Sequence, residues 1–272
     1  MTHDLGAPLG RREALQRIAA GALGIGALGA LGACKKPHAE ILAGPTGESG
    51  HLAARPGAPT QAAEPGLVPL GLGPVRGEVR DGFLFVPSSY RPDVATPLVV
   101  LFHGAGGSAT RVLPVLQAQA EARGFVVLAP DSRRQTWDLN YLAFDWDAKF
   151  LDLALAWAFD RVRVDPARVF ASGFSDGASY ALSLGATNGD LFRGLVAFSP
   201  GFYEPAKLRG KPSCFVSHGT EDPILNIDRC SRAIVNRLRG DGYDVTYQEF
   251  AGGHTVPEAI RVKAGEWIAN SR

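Results

Sequence analysis

An alternation restricts this chain more than any other feature: short apolar runs bounded by turn residues, separated by longer stretches of helical period. The run Leu98-Val99-Val100-Leu101-Phe102 is continuous rather than alternating. Both of its faces must therefore be covered, which is the condition of a strand inside a parallel sheet. Comparable runs occupy residues 82–86, 98–103, 125–129, 169–172, 194–198, 213–217 and 245–250. Helical period falls between them at 110–123, 147–161, 176–185, 227–239 and 257–270, with Pro257 suited to the first turn of the last helix. This pattern predicts an α/β fold with a mostly parallel central sheet and helices on both faces. The spacing leaves little or no room for a cap domain.

A net charge of +1 with 20% charged residues offers no basic run to neutralise a phosphate backbone, so nucleic acid is not an expected partner. The 46% hydrophobic content is that of a globular chain with one core. The 33 glycines and 19 prolines concentrate before about position 75, which separates a leader and linker from the body.

Arg11-Arg12 stand just ahead of the run 18–33, made only of Ala, Gly, Leu and Ile and stopped by Lys35-Lys36-Pro37. Sixteen apolar residues fall short of the roughly 20 that a membrane-spanning helix needs. Residues 1–33 therefore read as an export signal. Leu31-Gly32-Ala33-Cys34 resembles the lipobox of bacterial lipoproteins, which implies cleavage before Cys34, lipid on its sulfur and a place in the cell envelope, with plain secretion as the alternative. The paired arginines resemble a twin-arginine signal, but Glu13-Ala14-Leu15 follow them, so the export route stays open. Residues 34–75, without apolar periodicity, read as a flexible tether, and 76–272 as the folded domain. Two cysteines remain, Cys214 and Cys230, to be either a disulfide or buried thiols.

Four segments carry chemistry. Gly173-Phe174-Ser175-Asp176-Gly177 follows a strand and opens a helix, a context that lifts Ser175 above the sheet on a tight turn. His103-Gly104-Ala105-Gly106-Gly107-Ser108, after the most apolar strand, bares its backbone N–H groups. It lacks the spacing of a phosphate-binding or dinucleotide loop and suits an oxyanion instead, with Ala105 as one donor and the N–H of Asp176 as the other. His103 is expected to hold this loop by hydrogen bonds. His218-Gly219-Thr220-Glu221-Asp222-Pro223 offers a carboxylate at a strand's carboxyl end: Asp222, with Glu221 as its rival. Gly252-Gly253-His254-Thr255 supplies a base. Of six histidines, three precede the body and two sit beside the oxyanion and acid loops, which leaves His254 to reach the nucleophile. The order Ser175, Asp222, His254 is that of the hydrolase template.

These segments, with Phe85-Val86-Pro87-Ser88-Ser89-Tyr90, Pro97 to Gly104 and Val164-Asp165-Pro166-Ala167-Arg168-Val169, resemble the α/β-hydrolase superfamily over about Phe83 to Trp267. Within it they look most like secreted esterases related to polyhydroxybutyrate depolymerases and feruloyl esterases, and like the phospholipase/carboxylesterase group. The resemblance implies an α/β-hydrolase fold and a serine esterase acting on small or polymeric esters through an acyl-enzyme, with no metal and no organic cofactor. An exported peptidase or amidase and a binding module with an idle triad are the alternatives. Trp137, Trp146 and Tyr203, in or near loops, either line the site or pack. Nothing in the residues sets the oligomeric state.

Overall fold

The computed structural model describes residues 49–73, 80–141 and 144–271. The leader, Cys34 and the tether up to residue 48 lie outside them. Eight strands form one sheet: β1 (Gly66–Pro69), β2 (Gly82–Val86), β3 (Thr96–Phe102), β4 (Val126–Pro130), β5 (Val164–Phe174), β6 (Gly194–Phe198), β7 (Ser213–Gly219) and β8 (Val245–Phe250). Their order is β1-β2-β4-β3-β5-β6-β7-β8. β2 pairs antiparallel with both β1 and β4, and every pairing from β4 to β8 is parallel.

The helices are α1 (Ala109–Val112), α2 (Gln117–Arg123), α3 (Trp146–Phe159), α4 (Asp176–Thr187), α5 (Ala233–Gly240) and α6 (Glu258–Asn270). The run that reads as doubly covered is so: Leu98, Val100 and Phe102 pack with α3, α4 and α5, while Val99 and Leu101 pack with α1, α2 and α6. The sheet thus has a core on each face, and the α/β expectation holds.

Local chemistry explains where elements depart from the periodicity. The helix expected over 110–123 is broken into α1, a 3-10 turn at Leu113–Val115 and α2, because Pro114 has no N–H for an α-helical bond. The helix expected over 227–239 begins instead as a π-turn, Asp228–Arg232, before α5. β5 starts five residues earlier than the apolar run, at Val164. Its pairing shifts register between Thr96↔Val164 and Leu98↔Val169, and Asp165 folds this bulge by accepting the N–H of Ala167 at 2.9 Å.

α4 is buried along its whole length, yet it carries Ser179, Ser183 and Thr187 at intervals of four. Ser183 and Thr187 each donate to the carbonyl one turn back at 2.8 Å. The same three oxygens accept the N–H groups of Gly201 at 2.9 Å, Glu204 at 2.9 Å and Ala206 at 3.1 Å. A polar stripe on a buried helix thereby fastens the irregular segment after β6.

The tether reading is corrected for 49–73. Leu52 is fully buried, and Asn188 clasps the segment there: its Oδ1 accepts the Leu52 N–H at 2.8 Å and its Nδ2 donates to the Gly50 carbonyl at 2.8 Å. Asp152 accepts the N–H groups of Ala53 and Ala54, the Asp160 carbonyl accepts those of Thr60 and Gln61, and β1 extends the sheet. Lack of periodicity removes a helix or strand signal, but it does not prevent backbone groups from being satisfied by side chains of the body. Among the described residues, 49–73 are therefore packed on the body and not a free tether.

Candidate active site

The parallel strands all end at one edge, and the site is assembled from the loops there. β5 runs into Ser175, whose backbone sits at φ 58° and ψ −118°. Such a turn costs energy for a residue with a side chain, and surrounding structure must hold it. The Ser175 N–H is tied to the Phe198 carbonyl at 2.8 Å, and the Ser175 carbonyl accepts from Ala178 at 3.0 Å. A Cβ on Gly173 would collide with the Gly177 carbonyl, and one on Gly177 with the carbonyls of Phe102 and His103. Both glycines of the elbow are therefore needed because backbones cross there.

His254, in the loop between β8 and α6, reaches this turn. Its Nε2 lies 2.8 Å from Ser175 Oγ and its Nδ1 lies 2.6 Å from Asp222 Oδ2. The Phe174 ring backs the imidazole at 4.8 Å. The acid and base loops are laced together: Thr220 donates to the Phe250 carbonyl at 2.8 Å and Glu221 to the Gly252 carbonyl at 2.9 Å. The structure thus brings Ser175, Asp222 and His254 into one hydrogen-bonded line, and Glu221 faces solvent.

The Asp222 carboxylate is inaccessible to solvent. Burial pushes its pKa upward, but hydrogen bonds from His218, His254 and the Leu225 N–H overcome this and hold it well below the usual carboxylate range. Oδ1 accepts from the N–H groups of Ile224 and Leu225, both at 2.9 Å.

Gly104 packs against the Ser175 side chain, so a Cβ there would stand 3.4 Å from Ser175 Cβ. The next residue is Ala105. Among the described residues no acceptor takes the N–H of Ala105 or of Asp176, the condition expected of oxyanion donors. The loop is braced through Gly107 N–H to the Gly104 carbonyl at 2.9 Å and Gly106 N–H to the Gln135 carbonyl at 2.7 Å. His103 holds it as expected: Nε2 accepts from Ser132 N–H at 3.0 Å and Nδ1 lies 2.7 Å from the Gly104 carbonyl. Burial lowers its pKa to about 4, so the ring is neutral and Nδ1 donates.

Thr136 and Asn140, which carry no sequence signal, stand beside the elbow. The side chain of Asp176 is buried and takes hydrogen bonds from Thr136, from Asn140 Nδ2 at 2.5 Å and from the Trp137 N–H. Burial outweighs these donors and raises its pKa to about 7. Trp137 and Tyr203 are buried: Trp137 stacks on Tyr180 and donates its indole N–H to the His103 carbonyl at 2.8 Å. Trp146 is the exposed one, with the Arg134 guanidinium 4.8 Å from its ring centre. His218, which opens the segment of Asp222, and Ser231, which carries no sequence signal, stand behind Asp222. Cys214 and Cys230 are buried thiols and not a disulfide. No group of His, Cys, Asp or Glu among the described residues is arranged to hold a metal.

The phospholipase/carboxylesterase family model matches residues 148–266, a stretch that includes Ser175, Asp222 and His254. The chain is 27% identical to a feruloyl esterase C of Emericella nidulans over 157 residues, covering 55% of this chain and 57% of that protein. It spans little more than half the length of such curated relatives. A crystal structure of esterase PE8 superposes with a TM-score of 0.59 at 22% identity, covering 71% of this chain and 99% of that one. An S-formylglutathione hydrolase of Staphylococcus aureus does so with a TM-score of 0.61 at 14% identity, covering 75% and 99%. Those two likenesses concern the fold. Taken with the sheet order and the strained serine turn, they show that this chain has the α/β-hydrolase fold, and through the stretch that holds Ser175, Asp222 and His254 it is similar to the phospholipase/carboxylesterase family.

Proposed function

We propose that the chain is a serine carboxylic-ester hydrolase in which Ser175 is the nucleophile, His254 the base and Asp222 the residue that orients it. The observation that carries this reading is the unbroken line from Asp222 Oδ2 to His254 Nδ1 at 2.6 Å and from His254 Nε2 to Ser175 Oγ at 2.8 Å. As Ser175 Oγ attacks the ester carbonyl, its proton passes to His254 Nε2, and the ionised Asp222 stabilises the cation that forms. The carbonyl oxygen, now an oxyanion, is received by the N–H groups of Ala105 and Asp176. Collapse expels the alcohol, which takes the proton from His254. Water then repeats the sequence on the acyl-enzyme and releases the acid. Besides the ester and the water, the scheme uses only the side chains and N–H groups named here.

The leader supports a placement outside the cytoplasmic membrane, with the domain tethered by lipid at Cys34. Expressed in a bacterial host, the wild-type chain is expected to partition into the detergent phase on Triton X-114 extraction and Cys34→Ser into the aqueous phase. Equal partitioning of the two would remove the anchor.

The activity is tested with p-nitrophenyl esters of increasing acyl length, beside Ser175→Ala and with a fluorophosphonate probe. Hydrolysis lost in Ser175→Ala is the expected result. Labelling without ester turnover would move the reading to amides, and a folded protein that does neither would be a binding module. The named activity of the feruloyl esterase relative makes hydroxycinnamoyl esters the next substrates to try.

A further inference from the structure

Behind the acid of the triad lies a second histidine that the mechanism above does not use. His218, at the carboxyl end of β7, is fully buried. Its Nε2 lies 2.9 Å from the Leu225 carbonyl and 3.2 Å from Asp222 Oδ2, the oxygen that also receives His254. Its Nδ1 lies 2.6 Å from Ser231 Oγ. A carbonyl and an ionised carboxylate can only accept, so Nε2 carries the hydrogen and directs it between them. The buried hydroxyl of Ser231 fixes the other edge of the ring. Ser231 reaches it from the π-turn Asp228–Arg232, a rare local geometry in which this residue is buried.

The charged groups facing the cluster are Glu249, the register partner of His218 on β8, with Arg232 and Asp228 of the π-turn. Arg232 bonds Glu249 at 2.6 and 2.8 Å and Asp228 at 2.6 Å, so one cation is shared by two carboxylates. Asp222 is the anion on the Nε2 edge.

We propose that His218 is a positioning residue for the triad: pinned by Ser231, it shares its Nε2–H between the Leu225 carbonyl and Asp222 Oδ2, and so sets how strongly Asp222 holds His254. This rests on reading Ser175, His254 and Asp222 as a working triad. The sign of its effect follows from charge. Removing one of two donors on Oδ2 leaves more negative charge for the His254 Nδ1–H. The cationic form of His254 gains stability, and its titration moves to higher pH.

Two conservative substitutions separate this role from mere packing. The amide of His218→Asn occupies the Nδ1 position and keeps the Ser231 contact, but it stops short of Asp222. The amide of His218→Gln reaches the Nε2 position and restores the donor. Titration of 15N-histidine-labelled full chain by NMR reads His254 whether or not any ester is turned over. The pH dependence of fluorophosphonate labelling reads Ser175 reactivity beside it. For His218→Asn we expect an upward shift of His254 by about half a unit, and labelling about threefold slower on the acid side. For His218→Gln we expect wild-type values. Absence of a shift in folded His218→Asn, a downward shift, or the same shift in both variants overturns the proposal. Should the wild type neither label nor hydrolyse while His218→Asn still shifts His254, the esterase reading fails and what stands is the coupling of His218 to His254 through Asp222.

Discussion

Asp222 illustrates how a buried charge is kept ionised. Two backbone N–H groups and two imidazoles surround its carboxylate, so its lone pairs are filled without water. An asparagine cannot accept on both atoms. Asp222→Asn is therefore expected to lower kcat/KM by about a thousandfold or more while ester binding, read as KM, changes little. Asp176 poses the opposite case. Burial raises its pKa above the ordinary carboxyl value to about 7, so the folded state binds this proton more tightly than the unfolded chain does. The sign follows: the contribution is fully present below about pH 4 and is lost as pH rises through about 7. Asp147, also raised by burial to about 7, acts in the same direction. Urea midpoints should therefore fall between pH 5 and pH 8, and Asp176→Asn should reduce that fall. An unchanged slope in the variant would place the dependence elsewhere.

At the scale of elements, two contacts made by polar groups decide what packs where. The stripe Ser179, Ser183 and Thr187 lets a buried helix hold a segment with no secondary structure of its own. Ser183→Ala removes the acceptor for the Glu204 N–H and is expected to cost about 1–2 kcal/mol in urea denaturation, with the triad intact. The segment 49–73 docks through Leu52 and Asn188. Leu52→Ala should cost about 2–4 kcal/mol and make the segment a site of early proteolysis. If Leu52→Ala were as stable and as protease-resistant as the wild type, this docking would be of no energetic consequence. The expected strands were legible because each is a local apolar run. The segment 49–73 was not, since the body partners of its first part lie 95 or more residues away and several of them are side chains that satisfy its backbone.

Across the whole molecule, a parallel sheet places the turn after β5, the loop after β7 and the loop after β8 at one edge, and Ser175, Asp222 and His254 meet there. The two cysteines of the body are set by the same packing. Cys214 is buried in β7 and its thiol is pushed up to about 12, so thiolate is scarce. We expect neither Cys214 nor Cys230 to react with maleimide until the protein unfolds, and reductant to leave Tm unchanged. A reductant-dependent Tm would restore the bridge. The sequence by itself determined the strand and helix alternation and the order of serine, acid and base, because these depend on residues adjacent in the chain: apolar runs, and glycines where backbones cross. It also singled out Ser175, Asp222 and His254, since tight turns at strand ends need recognisable residues. Only the tertiary structure decided that His218 stands behind Asp222, that Thr136 and Asn140 hold Asp176, and that 49–73 belongs to the body. Thr136 and Asn140 lie 40 and 36 residues from Asp176, the segment 49–73 is held by scattered groups of the body, and His218 meets Asp222 only through the fold of their loop; contacts of this kind leave no period to read.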